Sequence, residues 1–319
     1  MAGRLVEMGS DRGAKAPFGV SHLVWPGPFR VLSYAMKSVT KIFVKRFISG
    51  AILFFSRTPI GKYIYQQIIA TAMDRKMVVS YRALRMTFAA PNWLNQYRVS
   101  TFATKEPETL EWIDAIPAES ILWDVGANIG LYTIYAAKKR NCRVFAFEPS
   151  VFNLELLARN IFLNGLQNQV TIVPIALNDK VGASLFRMSN TDWGGALSTF
   201  GQDFDQNGAP LKNIFEYQTL GVSMADVVKL LGIQAPQFIK IDVDGIEHFI
   251  LRGGKDVLAK VDSVLIEIND NFTEQAEESS RHLKEAGLSL YRKYSLGLPT
   301  QYNQWWTRKA SVAPSNRAS

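Results

Sequence analysis

Two short apolar runs, each ending in a distinctive turn, restrict this chain to few folds. Ile121-Leu-Trp-Asp-Val125 leads into Gly126-Ala-Asn-Ile-Gly130, and Arg143-Val-Phe-Ala-Phe147 ends at Glu148-Pro149, with Glu148 placed 22 residues after Gly126. Runs of this length suit buried strands and are too short for buried helices. The glycines permit a sharp turn into a helix whose first N–H groups have no partner within it. An acid ending the next strand can accept hydrogen bonds from a sugar diol. A strand, a helix and a parallel strand built this way form the nucleotide-binding part of an open α/β sheet.

The alternation continues along the chain. Periodicity predicts helices over 129–139 and from Ser150 to Gly165, a strand over 170–176, a helix over 224–231 and a strand over 238–243. A helix over 246–251, a strand over 263–268, a helix over 273–286 and a hairpin of 288–293 with 301–307 complete the pattern. Residues 179–221, rich in Gly, Asn, Asp and Ser with a strand-like 183–188, read as an insertion carrying loops over the site. The order implies a doubly wound, mainly parallel α/β sheet covered on both faces. Upstream, 36–77 is helical with a break at Pro59-Ile-Gly61, 78–105 is strand and loop, and 106–116 is a short helix. The expected organisation is a basic, poorly ordered arm over 1–35, a helical or irregular extension over 36–105, a core domain over 106–310 and a loose tail over 311–319.

With 319 residues, 47% of them hydrophobic, the chain can bury a full α/β core and still carry such an extension. Cys142 is its one cysteine, which excludes an intramolecular disulfide and a CxxC-type zinc site and points to a reducing, cytoplasmic setting. Residues 1–100 hold 15 Lys or Arg against 3 acids, whereas the remainder holds 21 against 25. A basic segment of that kind suits an anionic membrane surface, an acidic glycolipid or nucleic acid; solubility is the plainer reading. The apolar run 47–55 is too short to span a bilayer, which takes about 20 apolar residues. Lys45, Arg46 and Arg57 flank it. Two readings stand: peripheral contact of residues 1–77 with the inner face of an anionic membrane, or a helix packed on the core domain. The core domain lacks a stripe of interleaved basic and aromatic residues, which weakens the nucleic-acid reading.

Ligands of open α/β sheets bind beyond the carboxyl ends of the strands, and four such ends carry acids or amides: Asp124 to Asn128, Glu148, Asp242 to Asp244, and Glu267 to Asn269. Gly126 and Gly130 stand four apart with Asn128 between them, so the turn is not GxGxxG. A dinucleotide needs a glycine where its pyrophosphate approaches, and Asn128 obstructs that approach. S-adenosylmethionine has no pyrophosphate, and its aminoacyl group tolerates an Asn neighbour. Asp124 either braces the turn or holds the amino group of that cofactor, and Glu148 is the expected ribose ligand. Lys240-Ile-Asp-Val-Asp-Gly-Ile-Glu-His248 crowds Asp242, Asp244, Glu247 and His248 at one strand-to-helix turn. Carboxylates so close need a cation, a proton or a substrate to coexist, and at least one pKa must rise. Asp242, Glu267 and Asn269, at adjacent strand ends, are candidate ligands for Mg²⁺ or another hard divalent cation. Without a metal, Asp242 or His248 is the general base. Trp193 either offers a flat face to a sugar ring or packs in the core.

The motifs DVGANIG at 124–130, FEP at 147–149, Asn160 with Leu163-Asn-Gly165, KIDVDGIEHFILRGG at 240–254 and LIEIND at 265–270 together resemble the FkbM-type methyltransferases. The resemblance covers about residues 100–290 and implies a class I, Rossmann-like S-adenosylmethionine-dependent fold with seven strands, the last reversed. It also implies O-methylation of hydroxyls, often on sugars, in polysaccharide or glycolipid biosynthesis. By position it implies cofactor contacts at Asp124, Gly126, Ala127, Asn128, Gly130 and Glu148 and an acceptor side at Asp242 and Glu247; with His248 these last form the candidate catalytic set. Asp244 stands where the family often has Glu. The expectation is an enzyme that moves a methyl group to a hydroxyl of a carbohydrate, glycolipid or other small hydroxylated acceptor. Its rivals are a nicotinamide-dependent oxidoreductase and a non-catalytic membrane-docking protein with a vestigial nucleotide pocket.

Overall fold

The computed structural model describes residues 38–297 and 300–308, so the arm expected over 1–35 and the tail expected over 311–319 lie outside the described residues. The chain divides into two units, one ending at Ile68 and one beginning at Ile69. The first holds α1 (Ser38–Phe55) and most of α2 (Pro59–Met73). The break between them falls where Pro59 predicts it. Thr58 Oγ1 accepts the Gly61 N–H at 3.0 Å, and Pro59, with no N–H to leave unpaired, opens the second helix. Among the described residues no helix is long and apolar enough to cross a membrane.

The second unit begins with a hairpin of β1 (Lys76–Tyr81) and β2 (Leu84–Ala89). Arg82 and Ala83 join them with φ of 45° and 64°, the left-handed pair of a type I′ turn. α3 (Trp93–Ser100) starts where the Asn92 side chain accepts the Asn95 N–H at 2.8 Å, and α4 (Pro107–Ala115) follows. β3 (Ile121–Val125), α5 (Leu131–Arg140), β4 (Arg143–Phe147), α6 (Val151–Leu163) and β5 (Val170–Val173) then alternate as periodicity predicts. The third strand was expected to reach residue 176, but Pro174 ends it. Lacking an N–H, Pro174 cannot extend the ladder, and β6 (Ala176–Leu177) passes to a second sheet. That sheet, in the order β6-β9-β7-β8, contains β7 (Gly182–Met188), β8 (Ser198–Phe200) and β9 (Phe215–Val222). The segment over 179–221 is therefore as much sheet as loop. α7 (Met224–Leu231), β10 (Phe238–Ile241), α8 (Glu247–Arg252), α9 (Lys255–Leu258), β11 (Ser263–Asn269), α10 (Thr273–Glu285), β12 (Ser289–Ser295) and β13 (Gln301–Thr307) complete the unit.

The main sheet has seven strands in the order β12-β13-β11-β10-β3-β4-β5. The five from β11 to β5 run parallel, and β13, the last in sequence, lies antiparallel on β11, as the class I pattern requires. From β3 the chain steps one way through β4 and β5, then returns on the other side of β3 as β10. That reversal opens a crevice at the carboxyl ends of β3 and β10. Side chains alternate along β3. Trp123 and Val125 join a core with Met224, Ile250 and Leu283, while Leu122 joins another with Ile113, Ile134 and Leu157. α6 ties β2 to this body. Asn160 Oδ1 accepts the Ala89 N–H and its Nδ2 donates to the Ile129 carbonyl, both at 2.7 Å. One turn later, Asn164 accepts the Thr87 N–H at 3.1 Å and donates to the Thr87 carbonyl at 2.7 Å. Two amides at helical spacing serve β2 as a strand edge would.

Candidate active site

The β3-to-α5 turn is built from backbone. The N–H groups of Gly126 and Ala127 both donate to the Phe147 carbonyl at 3.0 Å. Gly126 has φ +83°, and a Cβ there would lie 1.9 Å from the Asp242 carbonyl, so only glycine lets this turn pass β10. Asn128, at φ +52°, donates its N–H to Glu148 Oε2 at 2.7 Å and its side-chain Nδ2 to the Gly195 carbonyl at 2.8 Å. Glu148 Oε1 accepts the Ser150 N–H at 2.8 Å. The glycine turn and the acid that follows it are thus one hydrogen-bonded unit, and burial raises the Glu148 carboxyl to about 7.

Gly126, Asn128 and Glu148 line a cleft of about 350 Å³ together with Asp242, Asp244 and Glu267. Its other side is Phe147, Ile175, Leu177, Phe186 and Phe200, an apolar wall drawn from both sheets. Asp244, at φ +62°, accepts the Leu197 N–H at 2.7 Å and so fixes the start of β8 over the cleft. Burial, then the Asp242 charge, raises Asp244 to about 6. Three charged cleft residues have no counterpart in the sequence expectation: Arg98, Lys105 and Glu106, all upstream of the glycine turn. Arg98 Nε donates to the Gly194 carbonyl at 2.7 Å, and Lys105 pairs with Glu106 at 2.7 Å. Glu106 carries one readable signal, an acid directly before Pro107 at a helix start; Arg98 and Lys105 carry none.

The cation that crowded carboxylates require is Lys240. It is 4% exposed, donates to Asp242 Oδ2 at 2.7 Å, and stands opposite Asp124 in the register of β10 on β3. Burial alone would raise Asp242, but Lys240 and Lys105 hold it at about 2. Glu267 is pushed the other way, by burial and then by the Asp242 charge, which favours its protonated form beside Asp242. Asp124 is 2% exposed beneath the turn, where Thr133 Oγ1 donates to it and burial raises its pKa. It lines a smaller recess beside the cleft with Ala127, Tyr132 and Lys240. Removing the cation while keeping the chain length, as in Lys240→Met, leaves Asp124 and Asp242 without their buried counter-charge, with Lys105 alone beside Asp242. The substitution is expected to lower stability by about 3 kcal/mol, seen as an earlier urea midpoint at unchanged slope. A loss under about 1 kcal/mol would mean that the acids do not depend on Lys240.

Other expected site residues sit elsewhere. Glu247, 1% exposed, accepts the N–H groups of Val243 at 3.2 Å and Gly245 at 3.1 Å, as well as the Gln275 amide. It braces the turn from below and does not face the cleft; burial raises it to about 7. His248 is fully buried, its ring 4.2 Å from that of Phe249 and edge-on to Phe272. Neither of its nitrogens has a hydrogen-bond partner, and burial, then Arg252, lowers it to about 4, so it is a neutral packed ring outside the cleft lining. Asn269 spends its amide on the Gln206 carbonyl and Asn207 Oδ1, and its oxygen on the Asn271 N–H. The trio Asp242, Glu267 and Asn269 therefore does not converge on a cation, because the Asn269 side chain is used within its own loop and Asp242 is paired with Lys240. No group of three or more His, Cys, Asp or Glu among the described residues is arranged to hold a metal ion. Gly130, at φ +83°, sits against Leu157 at the start of α5 and shapes the turn from behind. Trp193 packs, half-buried, beside Ala89, Ile129 and Leu156 and is not among the residues lining the cleft. Its loop is held by Asn92 and Asn95 on the Trp193 carbonyl and by Asn128 and Asn153 on the Gly195 carbonyl.

The family model described as the methyltransferase FkbM domain matches residues 124–291, more than half of the 319-residue chain. The hexuronic acid methyltransferase AglP of Haloferax volcanii is 27% identical over 172 residues, 54% of this chain and 64% of that protein. The 31-O-demethyl-FK506 methyltransferase FkbM of Streptomyces tacrolimicus is 28% identical over 172 residues, 47% of this chain and 65% of that protein. The alignments span just under two thirds of each relative. Arg98, Lys105 and Glu106 lie ahead of the family-matched segment.

Proposed function

Because the chain belongs to the FkbM methyltransferase family, we propose that it is an S-adenosylmethionine-dependent enzyme that methylates a hydroxyl oxygen of a carbohydrate-like acceptor. The observation that carries the reading is one cleft holding both requirements: Glu148 and the Gly126 turn on one side, and Asp242 with Glu267 on the other. Bound there, the cofactor supplies an electrophilic methyl on a sulfonium. Glu148 accepts hydrogen bonds from the two ribose hydroxyls with the lone pairs left over from the N–H groups of Asn128 and Ser150. Phe147, Ile175 and Leu177 receive the adenine. Asp124 and Glu106, at the recess beside the turn, suit the aminoacyl ammonium. Asn128, tied to Gly195, stands where a pyrophosphate would approach, which favours this cofactor over a dinucleotide.

Asp242 orients the acceptor. Held ionised by Lys240 and Lys105, it would accept a hydrogen bond from the acceptor hydroxyl and orient its oxygen, so the chemistry is largely alignment with water excluded. Were the methyl to pass from sulfur to that oxygen, leaving the cofactor as a neutral thioether, the methylated oxygen would still hold its proton and would be far more acidic than a carboxylic acid. Even a carboxylate of pKa about 2 takes that proton readily. Arg98 and Lys105 at the cleft suit an acceptor bearing a carboxylate, and the hexuronic acid named for AglP is a substrate of that kind. The test is calorimetry with S-adenosylmethionine and S-adenosylhomocysteine, followed by mass spectrometry of uronic acid glycosides for a product heavier by one CH₂. No heat with either compound on folded protein would overturn the reading.

A proton accompanies cofactor binding in this scheme. Folded Glu148 holds its proton up to about 7 against an ordinary value of 4.5. Its stabilising contribution is thus complete below the ordinary value and is lost as pH rises through about 7. Ribose hydroxyls donating to the carboxylate lower that pKa, so binding slightly below neutral pH is expected to release a proton. Binding heats measured in buffers of different ionisation enthalpy will then differ there and coincide at alkaline pH; identical heats throughout would exclude Glu148 as the group involved.

A further inference from the structure

Helices α1 and α2 leave an apolar surface with no cover among the described residues. On α1, Phe43, Phe47 and Phe54 are 72%, 72% and 75% exposed, and on α2, Ile60 is 71% exposed. With 3.6 residues per turn, Phe43, Phe47, Phe54, Val44, Ile48 and Phe55 fall on one half of α1, and Lys45 and Arg46 on the other. α2 has Ile60, Ile64 and Ile68 in a stripe that also takes in Gln67, with Lys62 and Gln66 opposite. From Ser38 to Met73 there are five basic residues, Lys41, Lys45, Arg46, Arg57 and Lys62, and no acid.

We propose that α1 and α2 form a docking surface for an anionic phospholipid bilayer, lying in the plane of the interface with their apolar halves among the acyl chains. The charge pattern selects this occupant. A second copy of the same surface would bring five cations against five with no acid to pair them, which opposes self-association. Nucleic acid matches the cations, and its unpaired bases can stack on Phe, but it gives the aliphatic Ile and Val side chains nothing to bury against. An anionic bilayer satisfies both, and neither helix is long and apolar enough to cross it. The surface is independent of the chemistry at the cleft.

The experiment uses the full chain with vesicles of phosphatidylcholine alone and of phosphatidylcholine mixed with phosphatidylglycerol. The protein is expected to sediment with the mixed vesicles and to bind them at least about tenfold more tightly than the neutral ones, with the difference shrinking at high salt. The double substitution Phe47→Asp with Phe54→Asp is expected to weaken binding by about 100-fold, and Lys45→Glu with Arg46→Glu by about tenfold, while calorimetry with S-adenosylmethionine is unchanged from the parent chain. Both pairs sit on exposed positions, so unchanged melting serves as the folding control. Binding that survives Phe47→Asp with Phe54→Asp, or equal binding to the two vesicle types at low salt, would overturn the proposal. So would a stable oligomer of the parent chain that those substitutions dissociate, since the occupant would then be a second copy.

Discussion

Asp242→Asn is expected to reduce kcat by about a thousandfold while changing S-adenosylmethionine affinity by no more than about threefold. The amide is nearly the same size, but it removes the charge that faces Lys240 and the acceptor that orients the substrate hydroxyl. It also strands Lys240 as a buried cation with only Asp124 and Glu106 to balance it. A merely structural role would lower Tm and spare turnover per folded molecule, so kcat must be referred to the folded fraction. The accompanying readout is Glu267→Gln, which places a hydrogen-bond donor beside Asp242 and is expected to cost about tenfold, since the raised pKa of Glu267 favours its neutral form. Turnover of Asp242→Asn within tenfold of the parent would remove Asp242 from the mechanism.

Glu148→Ala is expected to weaken S-adenosylmethionine and S-adenosylhomocysteine binding in parallel, each by about 100-fold or more. Two hydroxyls lose a charged acceptor, and each such bond contributes about 1.5–3 kcal/mol. The parallel loss matters because the two compounds share the ribose and differ at sulfur. A loss confined to one of them would point to the sulfonium instead. The Asn128 and Ser150 N–H groups lose their acceptor as well, so part of the effect passes through the shape of the turn. Glu148→Gln separates the two contributions. Its single carbonyl oxygen can still take one N–H and hold the turn, but its NH₂ opposes the donors of the ribose, so melting should recover more than binding does.

Where local chemistry sets structure, the sequence was legible. Short apolar runs, the Ser150 boundary of α6 and the glycine turn identify β3, β4, α6 and their order, because strand length and left-handed backbone are decided within a few residues; the Ser150 hydroxyl expected to cap α6 makes no cap hydrogen bond. Glu148 and Asp242 follow, since strand ends in a parallel sheet meet at the switch point. What escaped depends on partners distant in sequence. The strand expected over 170–176 overran Pro174, which ends β5, and nothing nearby says that the next residues join another sheet; β9 was hidden within a polar, glycine-rich segment. Glu247 and His248 look catalytic because they adjoin Asp242 in sequence. At a strand-to-helix turn, though, neighbours diverge, and these two point to the Gln275 amide and the Phe272 ring. Arg98, Lys105 and Glu106 reach the cleft only because α3 and α4 pass its mouth, an arrangement without a motif.

The Asn160 and Asn164 clamp has a practical corollary. A recombinant fragment starting at residue 106, where strand-helix alternation sets in, would discard β2 and expose two amides, one of them fully buried, whose backbone partners at Thr87 and Ala89 had been cut away. A fragment that keeps the clamp together with its whole hairpin has to begin no later than Lys76, about fifty residues before the stretch by which its kinship is recognised.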